Sequence, residues 1–312
     1  RGFDHQYGLW FGNIDYFTHL RDGVLDWHRN DEPSPDEGYT THLIALEATR
    51  RIREKKPGQP LFLYVAFNAV HEPLQVPDRY LVPYAHLEGA RRTYAGMLAA
   101  MDEGIGQILA ALDQAGLREN TLVVFFGDNG TGNGRADRAT IGGRPLSGAK
   151  GSMLEGGGRV PMIVSWPGVA PAGRVSADLV DSSDFLPTFA ALAGAKLPEK
   201  TVIDGRNFAA QLRGETSGPR SWVFHQLARN WYVREAGWKL NQAGELFDMS
   251  DAPFAERLVA AGSENPSALA ARQRLTAALA QLNPAGGIPD TGDESGRHAK
   301  NVEAKKKKER KK

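Results

Sequence analysis

Four side chains in this sequence stand where chemistry is usually done. Asp128 and Asn129 follow directly on the apolar run Leu122-Val123-Val124-Phe125-Phe126, and His71 lies just past a second run, residues 61–67 (LFLYVAF). In doubly wound sheets, ligands bind where loops leave the carboxyl ends of strands. An aspartate beside an asparagine offers hard oxygen donors of the kind that Ca²⁺ or Mg²⁺ takes. The competing reading of Asp128-Asn129-Gly130 is a hairpin turn. That reading needs a paired strand straight after, whereas the residues up to 148 are glycine-rich without a strand-like run.

His71, beside a proline after a strand, is as often a loop residue bonding to backbone as an active group. Lys150 taken singly is a surface lysine. Its setting raises it: with Gly148, Gly151, Gly156, Gly157 and Gly158 around it, side chain and backbone could both approach an anion closely.

The elements that must position these groups are legible from periodicity. Apolar residues at helical spacing predict helices over 40–55 and 90–115, the second ended by Gly116. Residues 61–67 read as a strand buried on both faces, 122–126 as another, and 160–166 as a third. Helix, strand, loop, helix, strand, loop is the alternation of a mostly parallel sheet covered by helices. Residues 1–37 lack clean periodicity and read as a long surface segment. Beyond about residue 212 come short aromatic strands, at 222–225, 231–240 and 245–247, predicting a small antiparallel sheet. A helix over 266–282 follows.

Composition narrows the class. The 312 residues are 41% hydrophobic and 24% charged, with no cysteine, and mean hydropathy is −0.42. A cysteine nucleophile, a disulfide scaffold and cysteine-ligated metals are excluded. No run reaches the ~18–20 apolar residues of a membrane helix. The last thirteen residues carry eight basic and two acidic side chains, net +6, so the other 299 carry −5 of the overall +1. A mildly acidic body has no nucleic-acid footprint, and the lysine block reads as a disordered, solvated tail, or as a weak hold on an anionic polymer. Arg1 is not an initiator methionine, which suggests an absent upstream part.

Three motifs in order then match a known family. Gly148-Ala149-Lys150-Gly151, Glu155-Gly156-Gly157-Gly158-Arg159-Val160-Pro161 and Trp166-Pro167-Gly168 closely resemble the G-x-K-G…E-G-G-x-R-V-P…W-P-G signature of the sulfatases. GDNG at 127–130 is similar to their D-N-G metal loop. LFLYVAFNAVHEPLQVPDRY resembles the strand and His loop of the arylsulfatase B branch, and RGFDHQYG with YFTH the segment after their central G-K-W-H-L-G. The likeness extends to GELFDMS, ending near Asp248. It implies an alkaline-phosphatase-like α/β sandwich, mostly parallel and lacking its first strands, with a small C-terminal α+β subdomain. It further implies Asp128 and Asn129 as Ca²⁺ ligands, and His71 and Lys150 in contact with the sulfate and the bridging ester oxygen.

Elements of the family pattern are absent: the cysteine or serine precursor of formylglycine, the paired metal aspartates and the Lys/His pair of G-K-W-H-L-G. All precede RGFD in family order, so one truncation accounts for them, and a formylglycine is expected in that upstream segment. The expected organisation is 1–212 catalytic α/β portion, 213–283 small sheet-plus-helix subdomain, and 284–312 disordered basic tail. The expected activity is sulfate-ester hydrolysis of a sulfated small molecule or carbohydrate, the chain being inactive alone. A periplasmic, secreted or lysosomal site is a family expectation. The rival readings are a phosphohydrolase of the same superfamily and a non-catalytic remnant that binds sulfated glycan.

Overall fold

The structure is a computed structural model and describes residues 2–132, 140–215, 218 and 220–284. The basic tail and the middle of the glycine-rich loop lie outside the described residues. The chain divides into two compact units, 1–121 and 122–312.

The first unit opens with five two-residue strands, β1 (Tyr7–Gly8), β2 (Leu20–Arg21), β3 (Val24–Leu25), β4 (His28–Arg29) and β5 (Glu32–Pro33). β2 and β3 form a hairpin, and β1, β4 and β5 an antiparallel sheet of order β1-β4-β5. Two helices follow, α1 (Thr40–Arg53) and α2 (Gly89–Gln114), within one or two residues of the predicted spans. Three arginines in the last turn of α1 suit the negative end of its dipole. Gly116, at φ +65°, ends α2 in the left-handed conformation that glycine adopts most readily.

Helices α1 and α2 meet through small residues: a Cβ on Gly104 would stand 3.1 Å from the Ala45 Cβ. One core cluster joins Tyr16, Tyr39, Val76, Tyr80, Met97 and Ala100, and another Ile14, Trp27 and Ile44. The opening segment is therefore not wholly a surface feature. It contributes Ile14, Tyr16 and the fully buried Trp27, large side chains spaced without a repeat because very short strands bury residues one at a time.

The run 61–67 forms no strand. Val65 and Phe67 pack on the Ile14–Trp27–Ile44 cluster, while Leu61, Phe62, Leu63 and Tyr64 are exposed. A run buried on both faces needs neighbours on both edges, and among the described residues no strand pairs with it.

The second unit contains β6 (Val123–Phe126), a short hairpin β7 (Thr140–Ile141) and β8 (Arg144–Pro145), one helical turn α3 (Glu155–Gly158), and β9 (Met162–Ser165). β6 pairs antiparallel with β9, Phe126 opposite Met162. Every strand pairing among the described residues is antiparallel, so the expected mostly parallel sheet is not found among them. Alternation of helix and strand sets the order of elements but not which strands become neighbours. Two helices follow, α4 (Phe185–Leu192) and α5 (Ala209–Leu212); Phe185 of α4 packs on Phe126 and on Phe208.

The predicted small sheet is present as a five-stranded antiparallel meander in chain order: β10 (Val223–Leu227), β11 (Asn230–Arg234), β12 (Trp238–Asn241), β13 (Leu246–Asp248) and β14 (Arg257–Leu258). α6 (Pro266–Leu282) lays Ala268, Leu275 and Ala278 on Val233, Leu240 and Leu246. Its start is fixed by Asn265, whose Oδ1 accepts from Ser267 N–H at 2.9 Å, and by Pro266 in the first turn. Among the described residues no helix is long and apolar enough to cross a membrane.

Candidate functional site

The three glycine-bearing motifs of the second unit are woven together through their backbones. Gly127 N–H donates to Pro161 O (3.2 Å), Gly130 N–H to Gly157 O (3.1 Å), Lys150 N–H to Thr131 O (2.8 Å) and Gly156 N–H to Ser147 O (2.6 Å). These approaches leave no room for side chains. A Cβ on Gly156 would lie 2.4 Å from Gly148 O, and one on Gly157 2.0 Å from Ser152 O. The glycines read from the sequence as anion-friendly flexibility are first of all what lets three strands of backbone touch.

The weave carries Asp128, Asn129 and Lys150 on adjoining loops. The hairpin reading of Asp128-Asn129-Gly130 fails, because β6 pairs with β9 and not with a strand immediately following. Asp128 is exposed and Asn129 half-buried; the Asn129 amide donates to Asp128 Oδ2, leaving Oδ1 and the amide oxygen as available donors. Lys150 is exposed, and among the described residues its ammonium has neither a carboxylate nor a carbonyl partner. A cavity of about 110 Å³ opens beside Asn129, with Thr131, Gly148, Gly156 and Arg159 also among its walls, well above the ~10–15 Å³ that one water needs.

As a cation site, the pair fits in kind. A carboxylate and an amide oxygen are hard donors, but two side chains fall short of the roughly six to eight oxygens around Ca²⁺. Among the described residues no cluster of three or more His, Cys, Asp or Glu completes it.

His71 belongs to the first unit. Its loop is pinned from below by the buried Tyr16, whose hydroxyl donates toward Asn68 O (2.7 Å) and His71 O (2.9 Å). Burial, with Tyr39 adding to it, pushes that hydroxyl's pKa up, so it stays protonated and donating. Thr40 Oγ1 holds Asn68 Oδ1 at 3.1 Å. Gln75 binds Tyr16 N–H and donates to Asp15 at 2.6 Å. Burial alone would raise the Asp15 carboxyl, but hydrogen bonds from Gln75, Thr18 and Phe17 outweigh it and hold it at about 2. The His71 ring is exposed, with Nδ1 2.9 Å from Glu72 O. A carbonyl only accepts, so in the neutral ring Nδ1 carries the proton.

Sequence reasoning missed the buried ionic layer behind the Lys150 loop. Glu155, 3% exposed, pairs with Arg234 of β11 at 3.0 Å. Lys239 of β12 pairs with Glu256 and donates to Met153 O at 3.2 Å. His225 stacks on Tyr232, 5.1 Å between centroids, and its ring fills the space beside Gly158. Burial, helped by Lys239, lowers the His225 pKa, and burial raises that of Tyr232. Glu155 was visible only as part of its motif, and the Glu155–Arg234 and Lys239–Glu256 pairs join residues far apart in sequence.

The Sulfatase family model matches residues 1–195, and a second model, N-sulphoglucosamine sulphohydrolase, C-terminal, matches 149–257. The chain belongs to the sulfatase family. Mouse arylsulfatase J is 34% identical over 238 residues, covering 73% of this chain and 39% of that protein. Human arylsulfatase A is 37% identical over 184 residues, covering 59% and 33%. The chain thus spans about a third to two fifths of the length of these curated relatives. The crystal structure of Ps i-CgsB in complex with k-i-k-neocarrahexaose is similar at TM-score 0.77 and 30% identity, covering 90% of this chain and 66% of that one. The structure of BT4656 with its substrate D-glucosamine-2-N,6-O-disulfate is similar at TM-score 0.73 and 18% identity, covering 94% and 78%. The chain shares the fold of these two proteins.

Proposed function

We propose that this chain forms the sulfate-handling part of a sulfuric ester hydrolase acting on a sulfated carbohydrate. The observation that carries the reading is the backbone weave that holds Asp128, Asn129 and Lys150 on adjoining loops, with Asn129 in the wall of a cavity. Asp128 and Asn129 would hold a Ca²⁺ together with donors from outside these 312 residues. Bound there, Ca²⁺ would offset the negative charge of the sulfate oxygens. Lys150 and His71 are assigned to the bridging ester oxygen, where negative charge develops as the S–O bond breaks. An ammonium can stabilise that charge, and the His71 ring, its Nδ1–H taken by Glu72 O, can stabilise it or pass it a proton as the imidazolium, from Nε2.

Without cysteine, the chain itself provides no cysteine-derived formylglycine. We place that group in an N-terminal segment outside these residues, where its hydrate would supply the attacking oxygen. The exposed apolar run 61–64 and the exposed Ile163 of β9 support the reading, as surfaces that further strands would cover. The sulfated-carbohydrate class is taken from the ligands of Ps i-CgsB and BT4656.

The test is the protein completed with a formylglycine-bearing N-terminal segment, assayed on an aryl sulfate and an aryl phosphate in Ca²⁺ and in Zn²⁺. Calcium-dependent sulfate hydrolysis is expected. Zinc-dependent phosphate hydrolysis would put the chain among phosphohydrolases.

A further inference from the structure

Two consecutive aromatic rings in the loop after β1 face solvent, yet both are firmly held. Trp10 is 54% and Phe11 60% exposed, while the carboxylate that fixes them, Asp26, is 3% exposed. Asp26 Oδ1 accepts Trp10 N–H at 3.1 Å and Oδ2 accepts Phe11 N–H at 3.0 Å. His28, also buried, lies flat beneath the indole, with ring centroids 3.6 Å and planes 4° apart, and its Nε2 is 3.3 Å from Asp26 Oδ1. Trp10 Nε1–H donates to Gln6 Oε1 at 3.3 Å. The Arg21 guanidinium sits over the Phe11 ring, 4.7 Å from its centroid.

Burying a carboxylate costs free energy unless it is hydrogen-bonded, and here its bonds go to the two backbone N–H groups that present these rings. The core gains little from apolar rings left in water. One face of the indole is closed by His28, so a second flat partner can take only the other. An aromatic face is negative and attracts the polarised C–H groups of a sugar ring, and a guanidinium pairs with a sulfate through its fork of donors. The rings come prearranged, so little ordering entropy is lost on binding.

We propose that Trp10, backed by His28 and pinned by Asp26, is a stacking platform for one sugar residue of a sulfated oligosaccharide, and that Arg21 on Phe11 takes a sulfate of that chain. The choice of a sulfated glycan rests on the function proposed above; the platform itself rests on the geometry of residues 6–28.

The test is calorimetric titration of the 312-residue chain with k-i-k-neocarrahexaose and with its desulfated form. Trp10→Ala should weaken binding of the sulfated hexasaccharide roughly tenfold or more, and Trp10→Phe, which keeps a flat ring, should restore most of it. Arg21→Gln should weaken the sulfated form and leave the desulfated one unchanged. Unaltered far-UV circular dichroism checks folding. Saturable binding that Trp10→Ala leaves unchanged, or no binding by the unmodified chain, overturns the platform. The underlying reading fails separately: binding weakened by Trp10→Ala upholds the platform, whereas aryl-sulfate turnover of the completed protein that both Lys150→Ala and Asp128→Ala leave unchanged counts against the sulfate site and not against the platform.

Discussion

Gly130 and Gly156 touch backbone to backbone: a Cβ added to Gly130 would stand 1.7 Å from the Gly156 carbonyl oxygen. This contact ties the Asp128-Asn129 loop to the glycine turn that follows Lys150. Because the obstacle is backbone, it cannot swing aside as a side chain could. Gly130→Ala should therefore push the two loops apart, at a cost on the order of 3 kcal/mol. Urea unfolding of the variant checks this; an unchanged midpoint would mean that the loops do not meet.

Asp128 is the only carboxylate of the proposed ligand pair. Asp128→Ala in the completed protein should lower sulfate turnover by orders of magnitude with the fold intact, and calcium titration should show the affinity lost. In the 312-residue chain alone calcium should bind weakly, since two side chains supply few of the oxygens the ion takes. Near-normal turnover in Asp128→Ala would remove the residue from the site.

Lys150 and His71 are assigned to charge that appears only as the bond breaks. Their replacement by alanine should lower kcat more than it raises KM, by roughly 10²–10³ for each lost electrostatic contact. Steady-state kinetics on one aryl sulfate decides it. A Lys150→Ala enzyme with unaltered kcat would return Lys150 to the class of solvated surface lysines.

The first unit should lose stability in acid. Burial tends to raise the Glu47 carboxyl, but hydrogen bonds and charge from Arg50 and Arg29 outweigh it and bring it from 4.5 to about 2. A depressed folded-state pKa means that the contribution is complete above about pH 4.5 and is lost as pH falls through about 2. Asp15, also near 2, acts in the same direction. Glu47→Gln should cost on the order of 2–3 kcal/mol near neutrality and flatten the acid limb of a Tm-against-pH curve. A parallel, undiminished acid limb in the variant would contradict this.

Lys239 and Glu256 form a buried pair, with side chains 5% and 4% exposed. Lys239→Met should destabilise by roughly 3–5 kcal/mol by leaving a buried charge uncompensated, and adding Glu256→Leu should recover much of that. Chemical denaturation of the single and double variants measures it; equal stability of the single variant and the unmodified chain would show that Glu256 finds water or another partner.

The legible parts of the fold were those with a local signal. The apolar repeat from Tyr94 to Leu112 gave away α2, and the helix expected over 266–282 is α6. The short aromatic strands between Trp222 and Phe247 pointed correctly to an antiparallel sheet. Pairing direction was not legible, because Val123–Phe126 looks the same from within whether its neighbour runs parallel or antiparallel. Residues 61–67 carry the composition of a central strand but no sign of what would lie beside them. In the candidate site, Asp128, Asn129 and Lys150 stood out through motif and glycine setting. Glu155 with Arg234 did not, since an ion pair across 79 positions leaves no trace in spacing.

The most direct measurement is turnover of one chromogenic aryl sulfate, with and without calcium, by two proteins: the 312-residue chain alone, and the same chain joined to a formylglycine-bearing N-terminal segment. The account predicts none from the chain alone, which has no cysteine from which to form the nucleophile, and calcium-dependent hydrolysis from the joined protein. Calcium-dependent turnover by the chain alone would contradict it.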